Sequence, residues 1–202
     1  MKSKLAIREV PIVPTPAEPP ALDSFVVARK PSSVRVFVTS SALRRVWIAV
    51  TGGRVFVERG GHLVGRYCIE PGGTRRFIVI TDAVPAVAAR ASGAHVEIAP
   101  EHWIAVHREL ASRPGLRVLG WYHSHPGGWV GMSDVDRETQ RAQFNVDWQV
   151  GLVIAPHTGR FRFYQGGGAS RAPWVAITLH AAPSPQLEST ENSDERSPDE
   201  ER

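Results

Sequence analysis

The chain has 202 residues, 42% of them hydrophobic and 22% charged, which suits one folded domain with flanking segments and excludes a fibrous or wholly disordered protein. Its formal charge of +4 is uneven: residues 188–202 hold seven acids and two arginines, so residues 1–187 carry 22 basic against 13 acidic residues, a net +9 that favours acidic partners. One cysteine, Cys68, excludes an internal disulfide framework and multi-cysteine metal knuckles; with no long apolar run and no signal-type leader, a soluble cytoplasmic protein is expected.

In chain order, residues 1–31 contain Pro11, Pro14, Pro16, Pro19 and Pro20 and read as an extended, proline-rich arm, with Val26 and Val27 marking a short edge strand. The folded domain is expected over residues 32–181, followed by an acidic disordered tail over 182–202. SVRVFVT (33–39) predicts a strand. Ser40 or Ser41 then caps a helix through Leu43, Val46, Trp47 and Val50, which Thr51-Gly52-Gly53 ends. RVFVE (54–58) and HLVGRYCIE (62–70) give strand signals separated by Gly60-Gly61, and TRRFIVITDAV (74–84) and HVEIA (95–99) give two more. Glu101 to Ser112 predicts a helix with Trp103, Ile104, His107 and Leu110 on one side, between Pro100 and Pro114-Gly115. LRVLGWYHSH (116–125) is a strand running into a loop, and Ser133 caps a helix over DVDRETQRAQF. WQVGLVIAP (148–156) and GRFRFYQ (159–165) form a hairpin through His157-Thr158, and WVAITLH (174–180) is the last strand. This order of strands and helices predicts an α/β domain, a three-layer sandwich around a mixed central sheet.

The chemistry concentrates in His123-Ser124-His125 and the segment after it. Histidines at i and i+2 on an extended strand end point the same way and can clamp one ion. Asp136, in the first turn of the next helix, turns back toward the same loop. Two imidazoles, a carboxylate and an open fourth position suit a catalytic zinc ion. The proton acceptor must then come from elsewhere, and Glu58 before Gly60-Gly61 is the candidate; its plain alternative is a solvated strand-end carboxylate. Ser133 could donate to an oxyanion or act only as a helix cap. Trp129, in a loop with Gly127, Gly128 and Gly131, reads as a binding element on a pliable segment. The histidines at 62, 95, 102, 107, 157 and 180 show no ligand spacing and read as structural or surface residues.

Residues 120–140, GWYHSHPGGWVGMSDVDRETQ, closely resemble the signature of the JAMM (MPN+) metalloproteases: His-x-His, seven residues, Ser, two residues, Asp. ERGGHLVG (58–65) resembles the family's upstream glutamate before a glycine-rich strand. The resemblance, over about residues 33–165, implies the cytidine-deaminase-like fold of MPN domains. It implies one zinc ion per chain held by His123, His125 and Asp136, with Glu58 as acid/base and Ser133 assisting the tetrahedral intermediate. Gly127, Gly128 and Trp129 would form a substrate loop over a diglycine tail. The implied reaction is cleavage after the C-terminal glycine of a ubiquitin-like β-grasp protein, free-tailed or conjugated, with its activating and conjugating enzymes as further partners and a role in protein conjugation or antiviral defence. Neither a membrane nor a nucleic-acid partner is expected. The tight His157-Thr158-Gly159 turn argues against a second zinc and against endosomal-type linkage selectivity. The alternatives are a catalytically silent MPN scaffold or a peptidase processing sulfur carriers; a deaminase is excluded, since Cys68 alone cannot supply its cysteine ligands.

Overall fold

Val-, Ile- and Phe-rich strands meet in one ten-stranded sheet in the computed structural model, which describes residues 13–20, 25–30, 32–52, 57–86 and 100–179. In chain order the elements are β1 (Thr15–Pro16), β2 (Phe25–Arg29), β3 (Val34–Thr39), α1 (Ser40–Thr51), β4 (Gly60–Ile69), β5 (Arg76–Pro85), α2 (Pro100–Ala111), β6 (Arg117–Ser124), α3 (Asp134–Gln143), β7 (Val150–Ala155), β8 (Arg160–Gln165), β9 (Ser170–Arg171) and β10 (Trp174–Thr178). The sheet runs β2-β10-β3-β5-β4-β6-β7-β8-β9, with β1 beside β4. Its pairings are mixed: β3, β5, β6, β7 and β10 share one direction, while β2, β4 and β8 run against them. The edge strand expected around Val26-Val27 is β2.

Alternate strand residues face two different helix layers. Val36, Val38, Leu63, Ile78, Ile80 and Leu152 pack with Ala42, Val46 and Val50 of α1. On the opposite face Val64, Trp121, Val153 and Tyr164 pack with Val106 and Leu110 of α2 and with Phe144, which closes α3. A third cluster, Phe37, Cys68, Phe77, Val79 and Trp174, is covered by Ala17 from the segment after β1. The result is the three-layer α/β architecture with a mixed central sheet.

Local readings shift in three places. The cap of α1 is Thr39, the last residue of β3, whose hydroxyl accepts from the Ala42 N–H at 3.1 Å, so the helix starts at Ser40 rather than after a serine cap. In α2 the inward residues are Trp103, Val106 and Leu110, whereas Ile104 is 59% exposed and His107 also faces out. On that side Trp103 meets the rings of His62 from β4 and of Phe144 from the end of α3. Gly60-Gly61 opens β4 rather than preceding it, and Val57 and Glu58 come before it as irregular backbone. At Gly61 a Cβ would lie 2.2 Å from the Val84 carbonyl oxygen and 2.9 Å from the Tyr122 ring, so only glycine lets β5 and β6 approach β4 there. The expected strand at 95–99 and residues 54–56 of the RVFVE run lie outside the described residues, as do residues 1–12 and 180–202.

His62 is fully buried between β4 and α2, its ring 4.1 Å from that of Trp103 and 4.9 Å from that of His102, with no hydrogen-bond partner for either nitrogen among the described residues. Burial, aided by the nearby His102 and His107 charges, pushes its pKa down to about 3. The folded value lies below that of the unfolded chain, so the unfolded state binds the extra proton and stability falls with acid. Below about pH 6.5 the His62 contribution should fall by about 1.4 kcal/mol per pH unit as an upper limit, levelling near the folded pKa. Urea unfolding at pH 7 and pH 4.5 should show a larger acid-induced loss in the natural protein than in His62→Phe; equal losses would refute this.

Candidate metal centre

The site begins with the pinning of β6. Its C-terminal end lies between β4, where Gly60 pairs with His123, and β7, where Val153 pairs with the same residue. The Ser124 N–H donates to the Arg59 carbonyl at 2.8 Å, and the Arg59 N–H donates back to Ser124 Oγ at 3.0 Å. One residue on, the His125 N–H donates to the Ile154 carbonyl at 2.7 Å. These bonds hold the two histidines of the extended His-x-His segment on one side and bring Glu58 beside them.

Asp136 arrives from the other direction. Ser133 caps α3 and forms a capping box in which Asp136 occupies the third helical position. The Ser133 N–H and Oγ–H both donate to Asp136 Oδ2 at 2.7 Å, and the Asp136 N–H donates to Ser133 Oγ at 3.2 Å. The carboxylate therefore faces the end of β6. His123, His125 and Asp136 are all buried, and one ligand atom from each lies within 4.8 Å of the other two, a cluster able to hold a metal ion. The two Nε2 atoms are 3.0 Å apart, and they lie 3.2 Å and 3.4 Å from the Asp136 oxygens.

The electrostatics favour a cation. Burial alone would raise the Asp136 pKa, but hydrogen bonds from His123, His125 and Ser133 outweigh it and hold the carboxyl well below the usual range. At His125 burial disfavours the charge, yet Asp136, Glu58 and the Trp129 carbonyl outweigh that and raise its pKa. His125 Nδ1–H donates to the Trp129 carbonyl at 3.2 Å, which turns the Nε2 lone pair inward. Two nitrogens and a carboxylate oxygen, with no thiolate, fit zinc. Cys68 sits in the third core cluster, and burial pushes its thiol up to about 11.

Glu58 comes next to the triad without joining it: its Oε1 is 3.8 Å from His125 Nε2, and its side chain is 12% exposed. Ser133 is adjacent, but its hydroxyl proton is directed at Asp136. In the 126–132 loop the glycines do not leave the segment untethered. The Gly128 N–H donates to the His125 carbonyl at 3.3 Å, and Tyr164 Oη–H donates to the Val130 carbonyl at 2.8 Å. Two residues inside the signature stretch, Trp121 and Gln140, have a supporting role that the motif does not assign. Trp121 stacks on His123 with centroids 4.5 Å apart, and its Nε1–H donates to Gln140 Oε1 at 2.7 Å. The available signal is spacing: Gln140 lies one turn after Asp136 on the same face of α3. Ser133→Ala removes the cap and two of the Asp136 contacts. It should cost about 1 kcal/mol of stability in thermal or urea unfolding, and zinc affinity measured by chelator competition should fall.

The comparisons with known proteins agree with this geometry. Mouse Lys-63-specific deubiquitinase BRCC36 is 36% identical over 107 residues, 44% of this chain and 36% of that protein. COP9 signalosome complex subunit 5 of Candida glabrata is 33% identical over 88 residues, 36% of this chain and 19% of that protein. NAD(+) hydrolase TcpA of a Theionarchaea archaeon is 38% identical over 74 residues, 36% of this chain and 22% of that protein. The chain thus spans well under half the length of these relatives, and their differing activities are properties of the larger proteins. Among solved structures, protein DSY2949 of Desulfitobacterium hafniense superposes with a TM-score of 0.57 over 72% of this chain and 94% of its own, at 17% identity, a likeness of fold. The family model for prokaryotic homologs of the JAB domain matches residues 55–165, which include Glu58, both histidines, Ser133 and Asp136. With more than half of its length matched and its His-His-Asp cluster assembled, this chain belongs to the prokaryotic JAB-domain family, related to the JAMM-type deubiquitinases.

Proposed function

We propose that the protein is a zinc-dependent peptidase that hydrolyses the peptide or isopeptide bond after the C-terminal glycine of a ubiquitin-like protein, either maturing a precursor or releasing a conjugate in the cytoplasm. The observation that carries this reading is Glu58: a largely buried carboxylate beside the His-His-Asp cluster that is not one of its three donors. A cluster used only for structure needs no such neighbour, whereas hydrolysis needs a proton acceptor at that place. The family relation to deubiquitinases supports the substrate class.

In this reading His123, His125 and Asp136 would hold one zinc ion, which supplies Lewis acidity to the scissile carbonyl and the attacking water when bound. Glu58 takes the proton from that water as the oxygen attacks the carbonyl carbon. It returns the proton to the departing lysine or peptide nitrogen as the C–N bond breaks, so one carboxylate serves as base and then acid. Ser133 holds Asp136 in orientation and, if its hydroxyl turns, can also donate to the developing oxyanion. Gly127, Gly128 and Trp129 line the approach of the diglycine tail, and the +9 charge of residues 1–187 would steer an acidic β-grasp partner.

Two tests follow. Purified protein should carry about one zinc per chain. Glu58→Gln should retain that metal and the fold while losing about 10²–10⁴-fold in turnover of a ubiquitin-like fusion; full turnover would assign the proton transfer elsewhere. Replacing either glycine of the substrate's terminal pair by alanine should lower kcat/KM, and equal cleavage would remove the diglycine requirement.

A further inference from the structure

We infer that Trp129 is a positioning residue for His125, and that Gly131 is the notch that seats it; the inference rests on the metal-site reading above. Trp129 is 56% exposed, so core burial does not hold its indole in place. What the ring meets is specific. On one side it lies parallel to the His125 imidazole, with centroids 5.4 Å apart and an interplanar angle of 8°. Its edge lies against Gly131, where a Cβ would fall 2.0 Å from Cζ2, 2.3 Å from Cε2 and 2.8 Å from Nε1. No other side chain fits at residue 131 while the indole stays there.

The same residue also uses its backbone. The Trp129 carbonyl accepts from His125 Nδ1, fixing the tautomer and the in-plane rotation of the imidazole. A hydrogen bond to one ring nitrogen still permits the ring to tilt out of plane about that bond, and a parallel aromatic face opposes that tilt. His123 is backed in the same way by Trp121, at 4.5 Å and 15°. The two cases differ in origin. Trp121 is a buried strand residue inside the core, whereas Trp129 reaches its position only because the loop bends back over Gly131 and is tied at Val130 by Tyr164. Orientation of His125 therefore depends on a pair, a large residue at 129 and none at 131.

The test uses the metal alone. Zinc affinity is measured by chelator competition and ligand geometry by the d–d absorption of the cobalt form. The proteins are the natural chain, Trp129→Ala, Trp129→Phe, Gly131→Ala and the Trp129→Ala/Gly131→Ala double variant. Trp129→Ala should weaken zinc binding by about 10–100-fold and alter the cobalt spectrum, and Trp129→Phe should restore most of both. Gly131→Ala should weaken binding when Trp129 is present and add little to Trp129→Ala, since the clash partner is gone. Melting curves of the metal-free proteins identify any variant that fails to fold; if Trp129→Ala does, Gly131→Ala and Trp129→Phe still decide. Unchanged affinity and spectrum in Trp129→Ala would overturn the positioning role, and equal losses from Gly131→Ala in both backgrounds would overturn the notch. A natural chain that binds no zinc would overturn the metal-site reading itself, and this inference with it.

Discussion

Asp136 accepts from the Ser133 backbone and hydroxyl while its two oxygens face the Nε2 atoms of His123 and His125, and the other groups at this end of the sheet are arranged around that contact. Burying a carboxylate is costly unless each lone pair has a partner. Here the partners come from two sources: the start of a helix on one side and the end of a strand on the other. The helix contribution is local in sequence and forms with the first turn of α3. The strand contribution is long-range, because β6 must be in register with both β4 and β7 before its imidazoles meet the carboxylate. The donor set thus couples a local capping motif to the register of the central sheet.

Tryptophan and glycine supply much of the support around this coupling. Trp121 serves the core and His123 together, and Gln140 ties its indole to α3 through a buried hydrogen bond. Gln140 also donates from Nε2 to the carbonyls of Phe144 and Gly166 at 2.9 and 3.3 Å, so the helix bearing Asp136 is joined to the strand bearing the histidines by one fully buried amide. Close backbone approach supplies the remaining order: Gly61 admits β5 and β6 to β4 just where Arg59 and Ser124 exchange hydrogen bonds.

Much of this was legible in the residues. The His-x-His pair, the serine cap and Asp136 lie within one short stretch, so their spacing is readable although the register that brings them together is not. The strands β3, β5, β6, β7, β8 and β10 announce themselves by β-branched and aromatic runs. Other features depend on partners distant in sequence. The side of α2 that faces inward is set by His62 and Phe144, which no periodicity within the helix encodes. Gly60-Gly61 allows either a turn or a close approach of backbones, and the two flanking strands decide for close approach. The tethering of the 126–132 loop was hidden for the same reason: its glycines suggest freedom, while Tyr164, 34 residues from Val130, ties it down.

The shared direction of β6 and β10 has a practical consequence for attaching anything to this chain. β10 runs toward the end of the sheet that carries the donors and lies four strand positions, ~19 Å, to the side of β6. Thr15, by contrast, pairs with Cys68, near the end of β4 opposite the Gly60 that pairs with His123. A fluorophore or affinity label attached at the exposed Leu179 therefore sits toward the donor-bearing end of the sheet, where tethering raises its local concentration and sets it in competition with an incoming tail. The same label at the exposed Pro16, which pairs with Ile69, starts at the other end of β4 and leaves the approach to His125 and Glu58 open.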